Sequence, residues 1–152
     1  MERIELEPCY PKGQTLKMQL EKIKEEYNEV LEASKLSHKI QELLDLKQTI
    51  VGYYHIQHGQ KWKNKLLDSK LAKKPYYSEK SLEYFWRYYD DPNVREKFKI
   101  KIGELFWLAD IVINQMISKD LLKIFLGHHK QKLESRKKQW AKENKKENKE
   151  VI

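Results

Sequence analysis

The sequence predicts an all-α fold, a helical bundle built around an antiparallel helix hairpin. Three observations predict it. Glycine and proline are scarce, 5 and 4 residues in 152, so few positions break a helix. Apolar residues recur at three- and four-residue intervals over long stretches, the period of a helix with one buried face. The period-two alternation of a half-buried strand persists nowhere.

Residues 1–14 hold Pro8, Pro11 and Gly13 and read as an irregular lead-in. Thr15 is placed to cap a helix, whose apolar stripe is Leu16, Leu20, Ile23, Tyr27, Val30 and Leu31. That helix should end near Ala33–Lys35. Ser34 and Ser37 flank a short turn, with Ser37 in position to cap the next helix. The second helix runs from about His38 to about His58, with Ile40, Leu43, Leu44, Leu46, Ile50, Val51 and Tyr54 as its stripe, and Gly59 is a natural stop. Two helices joined by so short a turn pair antiparallel. Residues 60–80 are lysine-rich and less periodic, and Pro75 breaks any helix there. Residues 81–89, SLEYFWRYY, form a short helix. Asp91 caps the following segment and Pro92 suits its first turn. Residues 93–117 make the most hydrophobic helix. Lys119 and Asp120 mark a break, and a last helix runs from about Leu121 into the polar end, with Gly127 a point of interruption. The reading is one domain over residues 1–136, with the hairpin at 15–58, an insertion at 60–100, and a basic polar tail at 137–152.

Composition bounds the function. The chain is 39% hydrophobic and 36% charged, with 17 aromatic residues, which argues against general disorder. Cys9 is the single cysteine, so no internal disulfide forms and a reducing, cytoplasmic setting is expected. No apolar run reaches the roughly 18 residues of a membrane span, and the first ten residues lack the apolar stretch of a secretion signal. The net charge of +8 is uneven. Residues 130–152 hold nine Lys/Arg against four Glu, whereas residues 1–50 hold eight against ten acids. A basic end can meet phosphates or nucleic acid; its plainer reading is a solvated, frayed helix end.

The acids of the first half are patterned. Glu26 and Glu29 are three apart, and so are Glu42 and Asp45, which puts each pair on one helical face. The two pairs mirror each other about the turn between Lys35 and Leu36. In an antiparallel hairpin Glu29 therefore sits near Glu42, and Glu26 near Asp45. Four converging carboxylates repel without a cation, and hard oxygen donors suit Mg2+, with Mn2+ also possible. Surface acids on charged helices are the alternative for any lone pair; the mirrored quartet favours metal.

These residues resemble the MazG-like, all-α nucleoside triphosphate pyrophosphohydrolases, whose signature is EExxE followed by ExxD. Here EExxE is Glu25-Glu26-Tyr27-Asn28-Glu29, and ExxD is Glu42-Leu43-Leu44-Asp45. The resemblance covers residues 15–58 and implies that Glu26, Glu29, Glu42 and Asp45 hold Mg2+, with Glu25 auxiliary. A weaker echo lies at HHKQKLESR, residues 128–136, where many relatives carry a basic helix of the form H-N-x-K-L-x-x-R that helps bind phosphates. His129, Lys132, Leu133 and Arg136 fit it, and Lys130 stands where Asn is usual. The helix that usually precedes EExxE is absent or replaced by residues 1–14. The activity implied is hydrolysis of an NTP or dNTP between its α and β phosphates, giving the monophosphate and pyrophosphate. Glu25 or Glu29 would orient or deprotonate the attacking water, and the residues do not choose between them. Lys132 and Arg136 are candidates for phosphate contact, against the reading of a solvated basic helix. Lys47, two residues past Asp45, points off that face.

Other residues carry two readings each. Asp110 lies within an apolar helix and needs a partner, either a structural salt bridge or a supporting place at the nucleotide site, which Asn114 one turn later could share. Tyr76, Tyr77, Tyr84, Phe85, Trp86, Tyr88 and Tyr89 either stack on a base or build core and subunit interface. His55 and His58 have the spacing of a metal pair, but exposed histidines near a helix end are commoner. Two helices alone do not enclose a nucleotide, so a homodimer or homotetramer is expected. The competing functions are a helical nucleic-acid-binding protein using the basic tail, which leaves the mirrored acids unexplained, and a helical interaction module with inert carboxylates.

Overall fold

The computed structural model describes residues 4–71 and 77–150, with side chains to residue 145, and among them every regular element is helical. The hairpin is α1, Leu16–Glu32, and α2, Leu36–His58. The Thr15 hydroxyl caps α1 by accepting the Met18 N–H at 3.1 Å. α2 begins earlier than the serine pattern predicts. Its first helical bond runs from the Lys39 N–H to the Lys35 carbonyl at 2.9 Å, so Ser37 lies inside the helix and caps nothing. Ile23, Tyr27 and Val30 of α1 are buried with Ile40, Leu43 and Leu44 of α2. Burying one such aliphatic side chain contributes about 1.5–3 kcal/mol. Gly59 ends α2 at φ +58°, in the left-handed region where glycine carries no Cβ penalty.

A 3-10 turn, Gly59–Lys61, leads into α3, Trp62–Asp68, which buries Trp62 and Leu66. Pro75 and Tyr76 lie outside the described residues. α4, Glu79–Asp90, buries Leu82 and Phe85 and docks on the hairpin. The Tyr27 hydroxyl donates to the Leu82 carbonyl, and Lys39 pairs with Glu79. α3 and α4 thus share one core with the hairpin.

The hydrophobic helix expected over 93–117 is two helices. Asp91 caps α5, Pro92–Phe98, accepting from Asn93 N at 3.0 Å and Val94 N at 3.5 Å. Lys99 then takes a left-handed φ of +52°, and α6 runs over Ile102–Met116. Lys97, Lys99 and Lys101 interrupt the apolar stripe at the junction, and the Glu104 carboxylate accepts the Lys101 N–H at 3.3 Å. Leu105, Phe106, Leu108, Ala109, Val112 and Ile113 bury α6 in the core, where it packs on α2. Gly103 permits the closest approach: a Cβ there would stand 1.8 Å from Ser69 Oγ and 2.6 Å from the Tyr54 hydroxyl.

The final helix, α7, spans Lys119–Glu150. Lys119 and Asp120 open it rather than break the chain; the Ser118 hydroxyl accepts the Leu121 N–H at 3.2 Å. Gly127 does not interrupt it, and neither does the start of the expected tail at 137. Along its inner face Leu122 and His129 are buried and Leu133, Arg136 and Trp140 half-buried, at spacings of one or two helical turns. The lead-in is strapped along α2: Ile4 is buried, the Glu7 carbonyl accepts Gln48 Nε2 at 2.6 Å, and the Tyr10 hydroxyl meets His55 Nδ1 at 2.6 Å. No helix among the described residues is long and apolar enough to cross a membrane.

Candidate metal centre

The hairpin brings Glu26 and Glu29 of α1 against Glu42 of α2, with one carboxylate oxygen of each within 4.8 Å of the other two. The cluster is partly sequestered. Glu26 is 3% exposed, and the Glu42 side chain 13%. Glu26 Oε2, Glu42 Oε2 and Asp45 Oδ1 are buried without a hydrogen-bond partner. Buried oxygens in that state raise the energy of the fold unless a proton or a cation reaches them.

Protons are one answer. Burial pushes the Glu26 carboxyl up to about 7; the charge of Asp45 adds to the rise and Lys22 opposes it. Burial also pushes Glu42 up to about 7, reinforced by its hydrogen bond to Glu29 and by the Asp45 charge. Glu29 moves the other way, held below the usual carboxylate value chiefly by the hydrogen bond it accepts from Glu42. The metal-free cluster therefore keeps protons near neutrality, in places a divalent ion would take.

Asp45 belongs to a second group. Its carboxylate faces α7, with Lys132 Nζ at 2.8 Å from Oδ2, and His129 Nδ1 at 3.5 Å and Arg136 Nη1 at 3.9 Å from Oδ1. The register of α7 puts these three side chains on one stripe. His129 is fixed from behind. Gln48 donates its amide nitrogen to the Glu7 carbonyl, which leaves its Oε1 to accept from His129 Nε2 at 3.1 Å. Burial lowers the His129 pKa, against the pull of Asp45. Two motifs 87 residues apart thus meet at one carboxylate.

Not every predicted residue arrives here. Glu25 is exposed and pairs with Lys22 at 3.5 Å, outside the carboxylate triad; Lys22 also lies 3.3 Å from Glu26 Oε1. Lys47 does turn away, and is buried in an ion pair with Asp110. Asp110 is itself fully buried, and this pair is the structural salt bridge of its two readings. Asn114 Nδ2 donates to the Asp110 carbonyl at 2.8 Å within α6. Among the aromatics, Phe85 is buried and Trp86 and Tyr89 are half-buried against Tyr27 and one another, while Tyr84 and Tyr88 are exposed. His55 is engaged by Tyr10, and His58 lies against the Tyr54 ring.

The sequence reading missed a groove of about 340 Å3 that ends on Glu26 and Asp45. Lead-in residues line one side and Arg136 and Trp140 of α7 the other. The available signal was spacing: Trp140 follows Leu133 by seven and Arg136 by four, the inward register of α7. No family model matches the chain, and neither a curated protein nor a solved structure matches it.

Proposed function

We propose that the chain is a Mg2+-dependent nucleoside triphosphate pyrophosphohydrolase, cleaving an NTP or dNTP between the α and β phosphates. One observation carries this reading: the acidic cluster of Glu26, Glu29 and Glu42 lies within electrostatic reach of Asp45, whose carboxylate is met by a stripe of bases from α7. A triphosphate with a divalent ion needs that combination, because carboxylates hold the ion and cations offset charge on the phosphoryl oxygens. The buried Oε2 atoms of Glu26 and Glu42, which have no hydrogen-bond partner, fit a hard cation, and Glu26, Glu29, Glu42 and Asp45 are the proposed ligands. Mn2+ suits the same donors. Bound there, the ion would neutralise the triphosphate and lower the pKa of a water.

The protein's own groups have separate tasks. Glu29 stays ionised, so it is the carboxylate suited to orient water or take its proton. Lys132 and Arg136 hold phosphate oxygens. A basic helix that binds nucleic acid would have no use for the acids it rests on. The proposal includes a homodimer or homotetramer, readable by sedimentation equilibrium, and a cytoplasmic setting suited to a lone thiol at Cys9.

The test is incubation with a panel of ribo- and deoxyribonucleoside triphosphates and Mg2+, with pyrophosphate as the readout. Release with at least one nucleotide, and its loss in Glu42→Gln at unchanged helicity, is expected. No release from any nucleotide, or full activity in Glu42→Gln, sinks the reading.

A further inference from the structure

The groove between the lead-in and α7 changes chemistry along its length. At one end stand Glu26, Asp45 and the cations Lys22 and Arg136. Its floor is α2. Gly52, seven residues past Asp45, lies about 10 Å along the axis at 1.5 Å per residue. A Cβ at Gly52 would come 3.2 Å from Tyr10 Cδ1 and 2.5 Å from Gln19 Nε2, so the missing side chain leaves room for both. Gln19 commits its amide nitrogen to the Thr49 carbonyl at 2.8 Å, which leaves Oε1 as an acceptor. Trp140 stands one turn beyond Arg136 on the facing helix. Charged groups, two aromatic rings and amides thus line one groove.

We infer that this groove takes the nucleoside of the substrate, with the base against Trp140 and Tyr10 and the phosphates at the carboxylate end. The inference rests on the pyrophosphohydrolase reading and adds to it where the base sits. A ligand anionic at one end, and flat with donors and acceptors at the other, is the ligand a nucleotide presents. The volume of about 340 Å3 falls in the ordinary range of small-molecule sites, roughly 300–1,000 Å3. An aromatic face accepts any base, and the nearby amides then discriminate among bases.

Calorimetric titration of the full chain with Mg2+ separates the two claims. The ligands are α,β-methylene triphosphates of the five common bases, and inorganic tripolyphosphate, which has no base. At least one nucleotide analogue should bind tighter than tripolyphosphate by about tenfold, the size expected of one stacking contact. Trp140→Leu should erase that advantage without weakening tripolyphosphate, and Trp140→Phe should keep most of it. Leu and Phe both preserve apolar packing, and circular dichroism checks the fold. If Trp140→Leu keeps the full advantage, or tripolyphosphate equals every analogue in the unaltered chain, the nucleoside assignment is overturned and the pyrophosphohydrolase reading survives. If neither tripolyphosphate nor any analogue binds, both fall.

Discussion

Glu26 is buried to 3% exposure with one oxygen unpartnered, and its chemistry sets a pH dependence. The folded carboxyls of Glu26 and Glu42 sit at about 7, against 4.5 for an ordinary glutamate. Between those values the native state holds protons that the unfolded chain has released, so stability falls as pH rises through the window. The metal-free protein should therefore melt higher at pH 5 than at pH 8, and Mg2+ should restore the loss at pH 8. Scanning calorimetry in chelator and in Mg2+ reads both; a melting point that rises with pH in chelator contradicts the assignment. Glu26→Gln makes the point on one side chain. It removes a charge that Asp45 and Glu29 oppose, so at pH 8 the metal-free variant should be more stable than the parent, while the stabilisation by Mg2+ shrinks. The mirrored numbering made the proximity of Glu26, Glu29 and Glu42 legible. It did not reveal that Asp45 turns to α7, because partners 84 to 91 residues away leave no trace in local spacing.

At the level of helices, α2 and α6 are pinned by Lys47 and Asp110, both fully buried, with the Lys47 ammonium also 3.6 Å from the Phe106 ring centroid. Removing Asp110 takes the carboxylate away from a fully buried ammonium. Asp110→Ala should cost about 3–5 kcal/mol, whereas Lys47→Met with Asp110→Leu should recover most of it. Denaturant midpoints decide, and a double variant no better than the single one contradicts the pairing. The helices themselves were readable where apolar residues dominate the inner face, as in α1, α2 and α4. Reading failed where charge interrupts or replaces that signal. The lysines at 97, 99 and 101 divide an apolar stretch into α5 and α6, and α7 turns His129 and Arg136 inward, so hydropathy periodicity does not reveal that helix's docked face. Trp140 was taken for tail because its surroundings are lysine-rich, although its register is inward.

For the whole molecule, the site is assembled from the lead-in, the hairpin and α7, and a fragment holding the EExxE and ExxD motifs alone would have the acids without the bases. Lys132→Ala should lower kcat/KM for the preferred triphosphate on the order of a hundredfold, about 2.7 kcal/mol of lost charge stabilisation. Turnover within twofold of the parent excludes Lys132 from phosphate contact. The same lysine has a second consequence. Its ammonium rests 2.8 Å from Oδ2 of Asp45, a proposed metal ligand, and it is tethered there at high effective concentration. It is a built-in competitor for Asp45, and a divalent ion that takes this oxygen must first evict it. Lys132→Ala should therefore bind Mg2+ more tightly than the parent while turning over more slowly. Those opposite signs in one variant separate a resident counter-ion from a lysine that only awaits phosphate.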